Sequence, residues 1–269
     1  MRLLPDLKTG LLLALRARYL STSFWLMVVV VGAALLAAQF SARQPSTVAL
    51  DVGISAIRML LPFLIILLVQ ELLSREFDRR YFLTSLTYPR SRHWLLLGRL
   101  SAVVLLVTTT LLVMGLALAG VTNVVAAGYE QATPISLGTN YWLTMGFIAI
   151  DLLVITAMAG LLAIVASTPS FVLIGALGFM LMSRSYSNII ALLDRQRYLF
   201  EDTETYRQSL SLLNYLLPDL GALDIRSISL YGKIELLPDD WAVNLGAGLA
   251  YAVALTALAL LMLQRKRFS

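Results

Sequence analysis

The sequence predicts an all-α polytopic membrane protein with six transmembrane helices, an N-terminal interfacial helix and one short helix in the loop between the second and third spans. Three observations carry this. Hydrophobic residues make up 59% of the 269 and charged residues 14%, with a mean hydropathy of +0.80. These values are far from those of water-soluble domains and suit a chain whose surface meets lipid. The apolar residues are gathered in runs long enough to cross a hydrocarbon layer. The charges are gathered between the runs, most densely in QELLSREFDRRYFLTSLTYPRSRHWLLLGRL, residues 70–100. There Arg75, Glu76, Asp78, Arg79, Arg80, Arg90 and Arg92 cannot share hydrocarbon, so they mark a short aqueous loop between two buried helices.

Residues 1–19 read as an amphipathic helix. Leu3, Leu4, Leu7, Leu11, Leu12 and Leu15 form an apolar stripe, and Arg2, Lys8, Arg16 and Arg18 reach anionic lipid. The same residues suit a cytoplasmic extension of the first span equally well. Acid and base are interspersed ahead of the first apolar run and no convincing small-residue cleavage site follows it, so residues 20–40 are read as a retained first span.

SARQPSTVALD reads as a turn, and the second span as about residues 52–70, with Arg58 near its outer end, where its side chain would snorkel to the interface. The third span starts at Trp94 and continues to about residue 121, with Arg99 one turn inside; a run this long calls for tilt. GYEQATPISLGTN is a polar connection. The fourth span covers about residues 141–166 and holds Asp151, and Ser167-Thr168-Pro169-Ser170 reads as a tight turn. The apolar run of the fifth span, residues 171–182, is short for a crossing, so it must continue through residues 183–193 or be partly discontinuous. Residues 184–240 form the long extramembrane segment. Within it IIALLDRQRYLF and YRQSLSLLNYLLPDL are apolar enough to form short re-entrant-like helices. The sixth span covers about residues 241–263, and residues 1–269 are read as a single domain.

Six spans place both ends on one side. That side carries twelve basic residues: Arg2, Lys8, Arg16 and Arg18; Arg75, Arg79, Arg80, Arg90 and Arg92; Arg265, Lys266 and Arg267. The opposite side holds nine acids within residues 184–240. Both termini and residues 72–93 are therefore expected in the cytoplasm, and residues 184–240 outside. The net charge of +5 then expresses membrane orientation and not nucleic-acid binding.

No G-x-x-x-x-G-K-[ST], H-E-x-x-H or glycine-rich nucleotide loop occurs, so the chain is not expected to hydrolyse ATP or to carry catalytic residues. Zero cysteines and the single His93 leave no basis for a metal centre or other cofactor. Glu71, Arg99 and Asp151 lie inside or at the edge of spans, where ionisable groups are costly and are expected to face a partner side chain, water or protein. Glu71 and Arg99 lie toward the cytoplasmic ends of adjacent spans, so an ion pair is available to them. Asp151 is a candidate either for structural pairing or for a cavity wall.

In residues 72–88, Leu73, Phe77 and Tyr81 recur every four residues, and Phe82 with Leu86 extends the apolar surface. Arg79 and Arg80 are among the charges covering the rest, and Pro89 ends the pattern. The pattern suits a docking element for a cytoplasmic partner, or a positive-inside loop satisfied by phospholipid. Small-residue stretches such as GAALLAA and GLALAG allow close helix approach, within the subunit or between copies.

On these residues the chain resembles the membrane subunit of an ABC-2 type exporter. The resemblance covers nearly the full length as topology. It is most specific in a glutamate, a charged turn, a leucine-rich segment ending in Pro and Ser-Arg, and an LGR that starts the third span: here Glu71, Leu83, Leu86, Pro89, Ser91, Arg92, Leu97, Gly98 and Arg99. LLNYLLPDL is similar to the family's segment returning toward the last span. The resemblance implies a bacterial inner-membrane location and two copies of this subunit, or one with a related permease. It also implies a cytoplasmic ABC ATPase dimer that binds ATP and Mg and pushes on a coupling helix bearing Leu73, Phe77, Arg79, Arg80, Tyr81 and Leu86. The sparse charge along any pore favours a lipid-like or amphipathic substrate. A related group of permeases serves maturation of periplasmic metalloenzymes or cytochromes, and a non-transporting scaffold is the remaining class.

Overall fold

The computed structural model describes residues 4–74, 92–128, 135–166, 168–195 and 217–265. Every regular element among them is helical. α1 (Leu4–Arg16) and α2 (Tyr19–Phe40) are separate helices, because Arg18 between them takes a left-handed conformation at φ 60°. That geometry costs a residue with a Cβ about 1–2 kcal/mol, and it turns the N-terminal segment away from being a straight extension of the first span.

α1 packs on α4 (Arg92–Ala127). Its buried stripe is Asp6, Gly10 and Ala14, while Leu4, Leu12 and Leu15 face outward. A Cβ on Gly98 would stand 2.5 Å from Asp6 Cβ, and one on Gly10 would stand 2.8 Å from Ala102 Cβ. The two glycines therefore set how closely these helices approach.

α3 (Pro45–Val69) starts earlier than the sequence pattern suggested. Proline at the first helical position loses nothing, since that N–H has no helical acceptor, and Ser46 and Thr47 are buried in the first turn. SARQPSTVALD is thus a turn only over its opening residues, not throughout. α3 passes into a π-helical turn, Gln70–Ser74. Gln70 Nε2 donates to the carbonyl of Pro169 at 2.8 Å, tying this end to the start of α6 (Pro169–Arg195).

α4 and α5 (Thr139–Val165) carry the middle of the bundle with α3. Buried hydroxyls there find carbonyl acceptors: Tyr141 Oη donates to Gly115 at 2.6 Å and Tyr19 Oη to Leu106 at 2.7 Å. α8 (Trp241–Arg265) packs on α5, and its Tyr251 ring stacks on Phe179 of α6 with centroids 6.1 Å apart. α2 and α8 keep outward apolar faces that include Phe24, Trp25, Leu36, Val243, Val253 and Leu261.

Among the described residues five helices are long and apolar enough to cross a membrane: Tyr19–Phe40, Pro45–Leu73, His93–Ala127, Thr139–Val165 and Trp241–Arg265. The helix of the expected fifth span, α6, is not one of the five. It runs unbroken to Arg195, the continuation past the apolar run and not the discontinuous alternative, and its second half carries Arg184, Ser185, Tyr186 and Ser187. The apolar run was short because the helix turns polar, not because it stops.

Residues 217–231 fold into the end of the bundle at which α3, α5 and α8 begin. Leu220, Leu223, Ile225, Ile228 and Leu230 are buried. Leu220 N donates to Ser183 O at 3.1 Å, and Ser136 N to Ser229 O at 2.9 Å. α7 (Ser227–Tyr231) stops at Gly232, left-handed at φ 67°, and a 3₁₀ turn, Ile234–Leu236, leads to α8. The expected helix around residues 210–216 lies outside the described residues.

Candidate functional site

Asp51, Ser55 and Arg58 lie at i, i+4 and i+7 on α3, one face of the helix. The arm of residues 217–231 is laid against that face. Asp224 pairs with Arg58 through Oδ2 and Nη1, and Arg58 Nη2 donates to Leu220 O at 3.3 Å. Arg226 Nη1 pairs with Asp51 Oδ1 at 3.0 Å and also donates to Ser55 Oγ, while its Nε lies 3.5 Å from Asp224 Oδ2. Asp219 accepts from Ser187 Oγ of α6 and from Ala222 N at 3.1 Å. At Gly221 a Cβ would stand 2.7 Å from the Arg184 carbonyl, so only glycine lets the arm approach α6 this closely.

Beneath the arm the charges continue into the bundle. Asp151 of α5 has no exposed side-chain surface; its Oδ2 receives Arg184 Nη2 at 2.6 Å and lies 3.7 Å from Arg58 Nε. Arg184 Nη1 donates to the carbonyl of Arg58 at 2.7 Å. That carbonyl is free because residue i+4 is Pro62, which has no N–H to offer it. At 1.5 Å per residue, Asp151 and Arg58 both stand about 20 Å from the starts of their helices, near the middle of a membrane-length rod. A single charge there would cost several kcal/mol; paired and hydrogen-bonded, the three make a cross-brace between α3, α5 and α6.

An open cleft of about 520 Å³ runs along the seam between arm and bundle, lined by Ser55, Met59, Arg58 and Arg184 on one side and Gly221, Asp224 and Arg226 on the other. A second cleft, about 430 Å³, lies at the other end between the α1–α2 junction and the end of α3, with Tyr19, Thr22, Leu67, Gln70, Glu71 and Pro169 in its wall. Among the described residues no group of three or more His, Cys, Asp or Glu is placed to hold a metal ion. The carboxylates of the brace are met by guanidinium groups, a setting that disfavours a bound cation.

The three ionisable residues picked from the sequence belong to three different elements. Glu71 is half-buried in the π-helical turn and borders the second cleft. Arg99 is buried in α4, its Nη1 3.7 Å from where a Cβ of Gly10 would be. Asp151 lies behind Arg58 and Arg184, which themselves line the larger cleft. Of the docking residues, Leu73 is fully buried within its own subunit; Phe77, Arg79, Arg80, Tyr81 and Leu86 lie outside the described residues.

Arg58, expected to snorkel, is instead held inward by Asp151, Asp224 and a carbonyl. Arg184, Asp219, Asp224 and Arg226 had counted only as charges of an outer segment. The available signal was Arg58 standing four residues before an intrahelical proline, with Asp151 the one charge in the apolar run of residues 141–166.

The chain matches the family described as ABC-2 family transporter protein over residues 14–268. No curated protein gives a significant match to it.

Proposed function

The chain belongs to the ABC-2 transporter family and is a membrane permease subunit of that type; from that premise we propose that it serves an ATP-driven exporter moving a lipid-like or amphipathic substrate out of the cytoplasm. The observation that carries this reading is the asymmetry of the bundle. At one end a polar arm is bonded into the mouth, beside a cleft of about 520 Å³. At the other end α3 closes in the turn Gln70–Ser74, and the next described element along the chain is α4. A push on the chain between them would reach two long helices at once, and those helices hold Asp51, Ser55 and Arg58 on one side and the Tyr141 and Tyr19 acceptors on the other.

In this reading α6 is the fifth of six crossings, α1 lies at the cytoplasmic membrane surface with its leucines toward lipid, and both termini are cytoplasmic in a bacterial inner membrane. The energy comes from a separate ATPase dimer that binds ATP and Mg and presses on residues 72–88. Leu73 would anchor that element, with Phe77, Arg79, Arg80, Tyr81 and Leu86 meeting the partner. The outward apolar faces of α2 and α8 leave room for a second copy or a related permease as well as phospholipid. Purification in mild detergent, with identification of the co-purifying proteins and lipids, tests the reading. A P-loop ATPase in equal number to this chain is expected; repeated isolation without one would favour a scaffold.

A further inference from the structure

We propose that residues 217–231 form a plug latched to one face of α3 by two charge bridges, Arg58 to Asp224 and Asp51 to Arg226, and that the plug lifts from the bundle during transport. The second half rests on the exporter reading above; the latch itself does not.

The charges of the site divide by depth. Asp151 has no exposed side-chain surface, and Arg58 and Arg184 only 10% and 17%. At the rim, Asp224, Arg226 and Asp51 expose 25%, 35% and 46%. Breaking a buried pair strands a charge, whereas a partly exposed pair gives up little, because water replaces the lost partner. The deep set is therefore a permanent brace and the rim set an exchangeable one.

Arg58 joins the two. It touches Asp151 on α5 and Asp224 on the arm, so when Asp224 leaves, Arg58 keeps a counter-charge and is not orphaned. Arg184 needs nothing from the arm's side chains: its donors go to Asp151 and to the carbonyl that Pro62 sets free. Lifting the arm thus leaves Arg184 its two partners and leaves Arg58 the Asp151 carboxylate 3.7 Å from its Nε, while Arg58 exchanges Asp224 and the Leu220 carbonyl for water.

The seam also lacks close packing over part of its length. Along the cleft of about 520 Å³ the facing walls stand apart and are joined by polar bonds, while beside it Leu220, Leu223, Ile225, Ile228 and Leu230 of the arm are buried and must also be exposed when it lifts. Nor is this cleft built to capture an anion, since the guanidinium groups at its floor are already committed to aspartates and carbonyls. Beneath the arm Ser183 is fully buried and its carbonyl accepts Leu220 N at 3.1 Å. Lifting the arm breaks this bond, and on the proposal it also opens the Ser183 side chain to water.

Ser183→Cys reads this directly in a chain that has no cysteine of its own. The full complex with its ATPase, in lipid nanodiscs, is exposed to a water-soluble maleimide. Slow labelling is expected in the otherwise unaltered chain. Asp224→Asn with Arg226→Gln should raise the rate about tenfold, since labelling follows the open population when opening is fast. Arg226→Asp should raise it likewise, and adding Asp51→Arg should bring it back down while both variants melt near the parent temperature. Unchanged labelling in the neutralised pair, or no recovery in the swapped pair, would overturn the latch. ATP turnover should also speed labelling; a complex that hydrolyses ATP with no change at Ser183 would overturn the plug's part in transport. Failure of the exporter reading is seen separately, as absence of a co-purifying ATPase.

Discussion

Pro62 and Arg184 are joined through a carbonyl that belongs to neither. Pro62 cannot donate to Arg58 O within α3, and Arg184 Nη1 of α6 donates to it at 2.7 Å instead. A helix-breaking residue at membrane depth is tolerated when a neighbouring group satisfies the acceptor it strands. Here that group is also the counter-charge of Asp151.

The first prediction follows from that exchange. An intrahelical proline costs about 3 kcal/mol, so Pro62→Ala would ordinarily stabilise α3; here the restored N–H competes with Arg184 and much of the gain is lost. In a thermal-unfolding cycle with Arg184→Met the two changes should couple by about 0.5–3 kcal/mol. Additive effects would show that the carbonyl is not shared.

Asp151 is the sole acid of the deep brace. Asp151→Asn keeps its shape but leaves Arg58 and Arg184 facing each other without their common carboxylate, and should cost about 3–5 kcal/mol. Asp151→Leu combined with Arg184→Met removes charge from both sides and should recover much of that loss. A single variant that melts like the parent would mean that the pairing carries no stability.

Two glycines give a matched comparison. A Cβ on Gly53 would run into the Leu118 side chain, whereas one on Gly146 meets nothing within 4 Å. Gly53→Ala should lower stability by about 1–3 kcal/mol through overpacking between α3 and α4, and Gly146→Ala should raise it by up to about 1 kcal/mol through helix propensity. Equal shifts in the two melting temperatures would contradict the close approach.

What the sequence could reveal here was whatever repeats locally. The runs at residues 20–40 and 241–263 became Tyr19–Phe40 and Trp241–Arg265, because an unbroken apolar stretch needs no tertiary information. The start of α3 was hidden because Gln44, Ser46, Thr47 and Asp51 look like a turn until the fold buries Ser46 and Thr47. Continuation of α6 into its polar half was legible as one of two alternatives, but the partner of Arg184 was not, because Asp151 meets it across a separation of 33 residues. The link from Arg58 to Leu220 spans 162 residues, beyond any helical period. Glu71 and Arg99 were chosen for their cost in lipid, a criterion that identifies a group needing company without identifying the company.

Orientation rests on the charge asymmetry alone and is tested by a single cysteine at Thr203, within the acid-rich stretch of residues 184–240. Reaction with an impermeant reagent on intact spheroplasts is expected. Reaction only after the cell interior is opened would reverse the topology.

The central claim is that ATP-driven motion enters through residues 72–88, and Phe77→Ala with Tyr81→Ala tests it most directly. Both rings belong to the apolar stripe that continues from buried Leu73. Removing them from a packed docking site should weaken partner binding by several kcal/mol, while the remaining leucines hold the segment at the membrane surface. The double variant should insert at normal levels, retain the parent melting temperature and lose co-purification with the ATPase or substrate-stimulated ATP turnover. Full retention of both properties would contradict the claim.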